Sequence, residues 1–150
     1  MDTKPVTPLA DGAARRAARL ATPRLTRELK TIAVMLRIWC RDLHGDAARD
    51  AEDLCEACAE LLEYARKRLA GCPFGPEKPT CVNCQIHCYG PRQREAVREV
   101  MRYAGPRMLL RHPWLALAHV IDGRRSAPPK PRGRPSAESA AREDAAPPQA

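Results

Sequence analysis

All seven cysteines of this 150-residue chain lie between Cys40 and Cys88, and their spacing constrains the fold more than any other feature. They occur as Cys40-x3-His44, Cys55-x2-Cys58, Cys72 and Cys81-x2-Cys84-x3-Cys88. Two cysteines at the C-x2-C spacing can direct both sulfurs to one metal ion. The seven cysteines and His44 together provide eight soft or borderline ligands, which is enough for two four-coordinate metal sites.

The first predicted metal site consists of Cys40, His44, Cys55 and Cys58. Cys40 and His44 are four residues apart in a predicted helix, so both side chains project from the same side. The Cys55/Cys58 pair falls in the first turn of the next predicted helix, where unpaired N–H groups and the positive end of the helix dipole favour thiolate. A redox dithiol would favour the same environment, but the pair lacks the βαβ context of thioredoxin-like proteins.

The second predicted metal site is the C-x8-C-x2-C-x3-C group formed by Cys72, Cys81, Cys84 and Cys88. Four thiolates within a short segment suit either Zn²⁺ or a four-iron four-sulfur cluster, and the spacing does not choose between them. We expect His87 to donate a hydrogen bond to a ligating sulfur. In an alternative, the two C-x2-C pairs form a single ribbon-like zinc site and the other three cysteines are core or reactive residues.

The apolar residues recur at helical spacing and predict an all-α fold. One helix is predicted from about residue 25 to Gly45, a second from about Leu54 to Gly71, and a third from Pro91 to Gly105. Two short helices are expected between residues 106 and 121. No segment shows sustained alternation of apolar and polar residues, so the expected architecture is a small bundle of about four to five helices held by Cys/His metal sites.

The distribution of proline and low-complexity sequence predicts one folded domain. We expect a flexible basic arm over residues 1–23, a helical Cys-rich metal-binding domain over residues 24–123, and a disordered Pro/Ala/Arg-rich tail over residues 124–150. With 44% hydrophobic but only 4% aromatic residues, such a domain has little material for a large core. A bound metal would therefore help to stabilise it.

The charge of the chain permits a nucleic-acid partner without requiring one. The net charge is +8 at pH 7 and is divided among the domain and both terminal segments. In the tail, the run Lys130-Pro131-Arg132-Gly133-Arg134-Pro135 is similar to the core of AT-hook peptides, in which arginines such as Arg132 and Arg134 enter the narrow minor groove of A·T-rich DNA. An ordinary basic linker is the alternative interpretation.

The sequence lacks the features of several common protein classes. The N-terminus has no signal-peptide pattern, and no apolar run approaches the roughly 20 residues that span a bilayer. We therefore expect a cytoplasmic protein without a membrane partner, whose cysteines stay reduced and available to metals. The chain also lacks the GxSxG, P-loop, dinucleotide-binding and HExxH motifs, so catalysis is left open and would have to come from the metal.

Several longer runs resemble the bacterial nitrous oxide-stimulated promoter family. They are Tyr64–Leu69, Cys72-Pro-Phe-Gly75, Lys78-Pro-Thr-Cys81, Ile86-His-Cys-Tyr89, Val100–Leu109 and His112-Pro-Trp114. The resemblance extends over about residues 25–124 and includes the cysteines and His44. It implies a small cytosolic protein made in response to nitric oxide or related stress, but it supplies no catalytic residues.

These observations support three functional hypotheses. The leading one is a metal-binding protein, containing zinc or an iron–sulfur cluster, that senses, buffers or repairs nitric oxide damage. The second is a DNA- or RNA-binding regulator that uses a zinc-stabilised helical domain and the basic tail. The third is a metal-dependent or redox enzyme, which would need an open coordination position or a reactive thiol. A protein partner remains unidentified.

Overall fold

The computed structural model of the chain describes residues 8–45, 47–80, 83–86, 88–124 and 129. It contains the helices α1 (Pro8–Leu20), α2 (Pro23–Leu43), α3 (Glu56–Ala70), α4 (Pro91–Arg111) and α5 (Pro113–Gly123), with a short 3-10 helix at Gly75–Glu77. No strand occurs among the residues described. The prediction of an all-α fold with about four to five helices is confirmed.

Helix α2 forms the centre of the bundle, and α1, α3, α4 and α5 all pack against it. The residues from Thr31 to Leu36 are buried without interruption, which means that α2 is enclosed on every side in this stretch. Its apolar side chains join Leu62 of α3 and Val100 of α4 in the core. Along the chain, a polar loop connects the end of α2 at Leu43 to the start of α3 at Glu56. Because α2 and α3 pack against each other, these two helix ends lie close together.

Helix α4 continues where two separate helices were predicted. The sequence places a helix end at Gly105-Pro106, but α4 extends from Pro91 to Arg111 with Pro106 inside it. A proline in a helix removes one backbone hydrogen bond and crowds the preceding turn. Ala104 and Met108, on either side of Pro106, are almost completely buried, so packing of both halves of α4 outweighs this local preference.

Part of the segment that the sequence predicts to be a flexible arm is helical. Helix α1 occupies Pro8–Leu20 and packs against α3 and α2. Alanine and arginine are strong helix formers, and this tertiary contact adds to their preference. Arg19 of α1 also donates a hydrogen bond to the backbone oxygen of Cys72 at 3.1 Å. Helix α1 therefore contributes to positioning the cysteine-bearing loop.

A buried ionic network links the start of α2 to the Pro-rich loop and to the end of α5. Glu28 accepts hydrogen bonds from Arg24 at 2.7 Å and from Lys78 at 3.1 Å. Asp122 forms ion pairs with Arg24 at 3.2 Å and with Arg27 at 3.0 Å. Since Glu28, Lys78 and Asp122 are each at most 4% exposed, the network fixes the loop and α5 to α2 from inside the protein.

Within the described residues, no helix combines the length and the apolar character required to traverse a bilayer. The predicted tail over residues 124–150 lies outside the described residues apart from positions 124 and 129.

Candidate metal centre

The structure brings four potential metal ligands together between the end of α2 and the start of α3. They are Cys40, His44, Cys55 and Cys58, and their ligand atoms all lie within 4.8 Å of one another. The three cysteines are at most 7% exposed, while His44 is half-buried. This group could hold a metal ion.

The end of α2 supplies Cys40 and His44. His44 is the residue at which α2 ends, and its backbone N–H donates to the oxygen of Cys40, so the last helical turn carries both side chains on one face. The imidazole of His44 packs edge-on against Trp39, with a centroid distance of 6.3 Å and an interplanar angle of 85°. Trp39 in turn packs edge-on against Tyr103 of α4 at 5.4 Å. These rings restrict the orientation of the histidine.

The loop over residues 50–54 positions the other two ligands. The Asp50 side chain accepts hydrogen bonds from the N–H groups of Glu52 and Leu54, which closes a tight turn. Asp53 has a φ of 63°, a left-handed conformation that aspartate tolerates better than most residues, and it accepts a 2.8 Å hydrogen bond from Arg41 of α2. Leu54 is 1% exposed and anchors the turn in the core.

The turn delivers Cys55 to the N-terminus of α3, and Cys58 follows within the first turn of that helix. The backbone N–H of Cys55 donates to the sulfur of Cys40 at 3.2 Å. Nδ1 of His44 lies 3.3 Å from the sulfur of Cys55 and 3.5 Å from that of Cys58. In a tetrahedral zinc site, a ligating nitrogen and sulfur lie about 3.5 Å apart. The arrangement is therefore close to the spacing that a single ion requires.

The two cysteines of the C-x2-C pair differ in acidity. Burial by itself raises the pKa of Cys55, but hydrogen bonds from the Cys58 backbone and with His44 lower it to about 7. Burial raises the pKa of Cys58, and the neighbouring Cys55 and Cys40 thiols raise it further. A bound cation would favour the thiolate form of all three cysteines, because a metal ion deprotonates the thiols that coordinate it.

Three of the remaining cysteines line a separate cavity of about 330 Å³. Cys72 is buried, whereas Cys84 and Cys88 are half-buried. Burial raises the pKa of Cys72, and hydrogen bonding from the Phe74 backbone together with the charge of Lys78 opposes this effect. The Cys84 thiol donates to the backbone oxygen of Ile86 at 3.1 Å.

Some predicted site residues lie outside the described part of the chain. They are Cys81, His87, Arg132 and Arg134. The four-sulfur site at Cys72, Cys81, Cys84 and Cys88 therefore stays a prediction, as does the DNA contact through the tail. In the alternative single zinc site, Cys55 and Cys58 would share an ion with Cys81 and Cys84. The structure instead places them beside Cys40 and His44, while Cys84 lines the other cavity.

The sequence pattern does not predict the contacts that several residues make around these sites. Glu28 has the pattern of an ordinary acidic residue near a helix start, yet it is buried with Lys78. The apolar pattern of α2 predicts that Trp39 is a core residue. It does not predict the edge-on contact between the Trp39 ring and the His44 ring. Arg94 and Arg98 have the pattern of solvated arginines on a helix surface, yet they line the cavity beside the three cysteines. All of these roles depend on contacts between distant segments.

The fold and the site define a small helical Cys/His protein with a group that could hold a metal ion. A sequence model described as nitrous oxide-stimulated promoter matches residues 23–132. The chain therefore belongs to the nitrous oxide-stimulated promoter family, as the sequence resemblance predicted.

A search of curated proteins identified a relative in Escherichia coli (strain K12) that bears the name "Uncharacterized protein YgbA". The two chains are 44% identical over 108 residues, which cover 72% of this chain and 88% of the relative. No solved structure matches the chain.

Proposed function

We propose that this protein is a metal–thiolate protein of the nitrosative-stress response, with Zn²⁺ bound by Cys40, His44, Cys55 and Cys58. The observation that supports this most directly is the convergence of these four ligand atoms within 4.8 Å. The ligands come from two helix ends and occur in two sequence pairs. Their convergence therefore requires the packing of α2 against α3.

The chemistry of the donor set fits zinc. Three thiolates and one imidazole form a Cys3His set, which is a common ligand set of structural zinc sites. Four protein ligands fill a tetrahedral coordination shell and leave no position for water or substrate. Catalytic zinc sites keep such a position open. The geometry thus favours a structural or reactive metal–thiolate centre and argues against a catalytic zinc at this position.

The connection with nitrosative stress rests on the family description and on thiol chemistry. The family name refers to stimulation by a nitrogen oxide. Oxygen oxidises nitric oxide to N2O3, which transfers a nitrosonium group to a thiolate sulfur and releases nitrite. The S-nitrosylated sulfur has lost its negative charge and is a poorer metal ligand. His44, the half-buried member of the group, marks the side from which a small molecule can approach. Loss of the ion would loosen the contact between α2 and α3, which gives the centre a means of sensing or absorbing nitric oxide damage.

Metal analysis of the purified protein tests the metal-binding part of the proposal. We expect one zinc ion per chain at the Cys3His group and loss of this ion in Cys58→Ser and His44→Ala. His112→Ala is the matched control, because His112 is exposed at the end of α4 and should not affect zinc content. Wild-type protein without zinc after supplementation, or equal zinc content in all variants, would refute the assignment.

The stress-response part requires a separate experiment. Zinc-loaded protein is exposed to a nitric oxide donor without oxygen and then in the presence of limited oxygen, and released zinc is followed with a chromogenic chelator. We expect release of the Cys3His zinc together with S-nitrosylation of its cysteines once oxygen is present, because nitric oxide alone lacks the oxidant that this modification requires. Retention of the ion under conditions that nitrosylate an unstructured cysteine peptide would contradict the proposed role.

A nucleic-acid-binding regulator is the second candidate, and the exposed arginines of α4 favour it. Arg94, Arg98 and Arg102 are spaced four residues apart and are all exposed, so they form a basic row along one side of the helix. The test is a salt-dependent mobility shift with wild-type protein and with a variant in which these residues are alanine and residues 124–150 are deleted. Unchanged affinity in the variant would exclude this candidate.

A further inference from the structure

The cavity lined by Cys72, Cys84 and Cys88 differs from the Cys3His group in its geometry. A single ion needs no cavity, because it occupies the small space between ligand atoms that almost touch. Among the residues described, only Cys40, His44, Cys55 and Cys58 form so compact a group. Cys72, Cys84 and Cys88 contribute to the lining of a space of about 330 Å³, close to the lower limit of about 300 Å³ for small-molecule pockets.

This geometry is typical of a ligand larger than one ion. In an iron–sulfur cluster each cysteine binds a different iron, so the ligating sulfurs lie farther apart than those around one zinc. The cluster itself fills the space between them. Three cysteines that line a cavity without forming a compact ligand group therefore match a polynuclear cluster better than a second tetrahedral zinc.

The charge around the cavity also fits a cluster. Arg94 and Arg98 contribute positive charge to its lining, while the charge of Lys78, which also lines it, is balanced by Glu28 at 3.1 Å. An iron–sulfur cluster ligated by thiolates carries a net negative charge, and neighbouring cations stabilise it and raise its reduction potential. Arg94 and Arg98 are one helical turn apart on α4, so both reach the same side of the cavity. None of the described residues that line the cavity is an aspartate or a glutamate.

The rest of the cavity wall is apolar and aromatic. It is formed by Pro73, Phe74, Ile86, Tyr89, Val97 and Met101. Such a wall restricts access of water to the sulfurs, and solvent exposure is one of the factors that control cluster stability and potential. The 3-10 helix beside Phe74 and the buried Lys78 hold this part of the loop against α2.

From these observations we infer that the cavity holds an iron–sulfur cluster ligated by the thiolates of Cys72, Cys84 and Cys88, separate from the zinc at the Cys3His group. The inference extends the proposed function, since it assigns a second cofactor to the same metal–thiolate protein. Cys81, predicted as the fourth ligand, lies outside the described residues, and the inference rests on the three cysteines that line the cavity.

Metal and sulfide analysis of the full chain tests this inference. The protein is purified without oxygen and reconstituted with ferrous iron, sulfide and a thiol reductant. We expect iron and acid-labile sulfide in equal amounts, the broad visible absorption of a cluster, and one zinc ion in addition. Absence of sulfide and visible absorption, or a second zinc in place of iron, overturns the inference while leaving the Cys3His zinc intact. A cluster without zinc would support the inference and contradict the proposed zinc site.

Paired cysteine variants assign the two sites. Cys84→Ser should lose iron and sulfide but keep zinc, and the retained zinc shows that the Cys3His group is still folded. Cys58→Ser should lose zinc, and its iron content reports on the second site independently. A Cys84→Ser protein that retains full visible absorption would contradict the inferred ligation.

An arginine variant avoids any loss of ligands. Arg98→Ala removes a positive charge from the cavity wall, so the cluster should become harder to reduce and its reduction potential should fall. Arg102→Ala is the matched control, because Arg102 is exposed on the same helix but does not line the cavity. Equal potentials in wild type and both variants, or equal shifts in the two variants, would place the cluster away from this cavity and overturn the inference.

Discussion

At the scale of single residues, the described cysteines fall into two environments. Cys40 is completely buried and accepts a hydrogen bond from the Cys55 backbone, so it belongs to a tightly packed group. Cys84 is half-buried on the wall of a cavity. The same side chain can therefore serve a compact ion site or a larger ligand, and the difference comes from its surroundings.

The packing of Leu36 gives the clearest stability prediction at this scale. Leu36 is 1% exposed in the middle of α2, and Leu36→Ala should lower the free energy of unfolding by about 2–5 kcal/mol because it leaves a cavity. Leu110→Ala is the control, since Leu110 is 88% exposed and should change stability by no more than about 0.5 kcal/mol. Urea unfolding measures both. Similar losses in the two variants would show that α2 is not the centre of the core.

Spacing in the sequence was sufficient to propose the set of candidate ligands but not their surroundings. The interval between Cys40 and His44, and that between Cys55 and Cys58, place each pair in one helical turn. The turn at Asp50, the left-handed Asp53 and the Trp39 ring, which orient these pairs, depend on local dihedral angles and on contacts with α4. Such contacts join residues far apart in the chain, so a linear pattern does not contain them.

At the scale of helices, the balance between local preference and packing is clearest in α4. The chain contains a proline where a helix would ordinarily end, and the helix continues because the segments on both sides are packed against α2. Residue type alone gives the preference for a break. Whether the helix actually ends there depends on how much apolar surface a continuous helix buries.

Replacement of Pro106 should therefore stabilise the protein. Pro106→Ala restores a backbone hydrogen bond within α4 and removes a steric conflict, and we expect a gain of up to about 3 kcal/mol in the free energy of unfolding. Pro113→Ala is the control, because Pro113 is at the start of α5, where proline is favourable, and should give no gain. Thermal unfolding of both variants measures the difference. A lower Tm for Pro106→Ala would indicate that the proline sets a bend that the packing needs.

At the scale of the whole molecule, the ionic network makes stability depend on pH. Burial disfavours the charged form of Glu28, but Lys78 and Arg24 outweigh burial and hold the pKa of Glu28 below its usual value of 4.5. Because the folded-state pKa is depressed, the stabilisation is present above about pH 4.5. It is lost as the pH falls through the folded-state pKa.

Glu28→Gln tests this contribution. At neutral pH the variant should be less stable by about 3–5 kcal/mol, because it leaves buried cations without their carboxylate. The difference between wild type and variant should decrease as the pH falls below 4.5, as measured by urea unfolding. Glu95→Gln is the control, since Glu95 forms an exposed pair with Arg98. A difference for Glu28→Gln that does not vary with pH would show that Glu28 carries no charge in the folded protein.

The proposed zinc should also control the stability of the whole domain. Free zinc at about 1,000 times its dissociation constant stabilises the folded state by about 4 kcal/mol, if the unfolded chain binds it weakly. Addition of a strong chelator should then lower the Tm by on the order of 20 °C. His44→Ala should show little response to the chelator. An equal response in both proteins would indicate that the stabilising ion is bound elsewhere.

Residue pattern alone predicts the helical class, the approximate positions of α2, α3 and α5, and the cysteines and histidine that are candidate ligands. These properties follow from periodicity and spacing within one or two helical turns. Three features depend on packing between helices: α4 continues through Pro106, α1 packs against α3, and the described cysteines divide between a compact group and a cavity. The physical reason is that these outcomes depend on burial of surfaces from distant segments, and the free energy of that burial is absent from any local stretch of sequence.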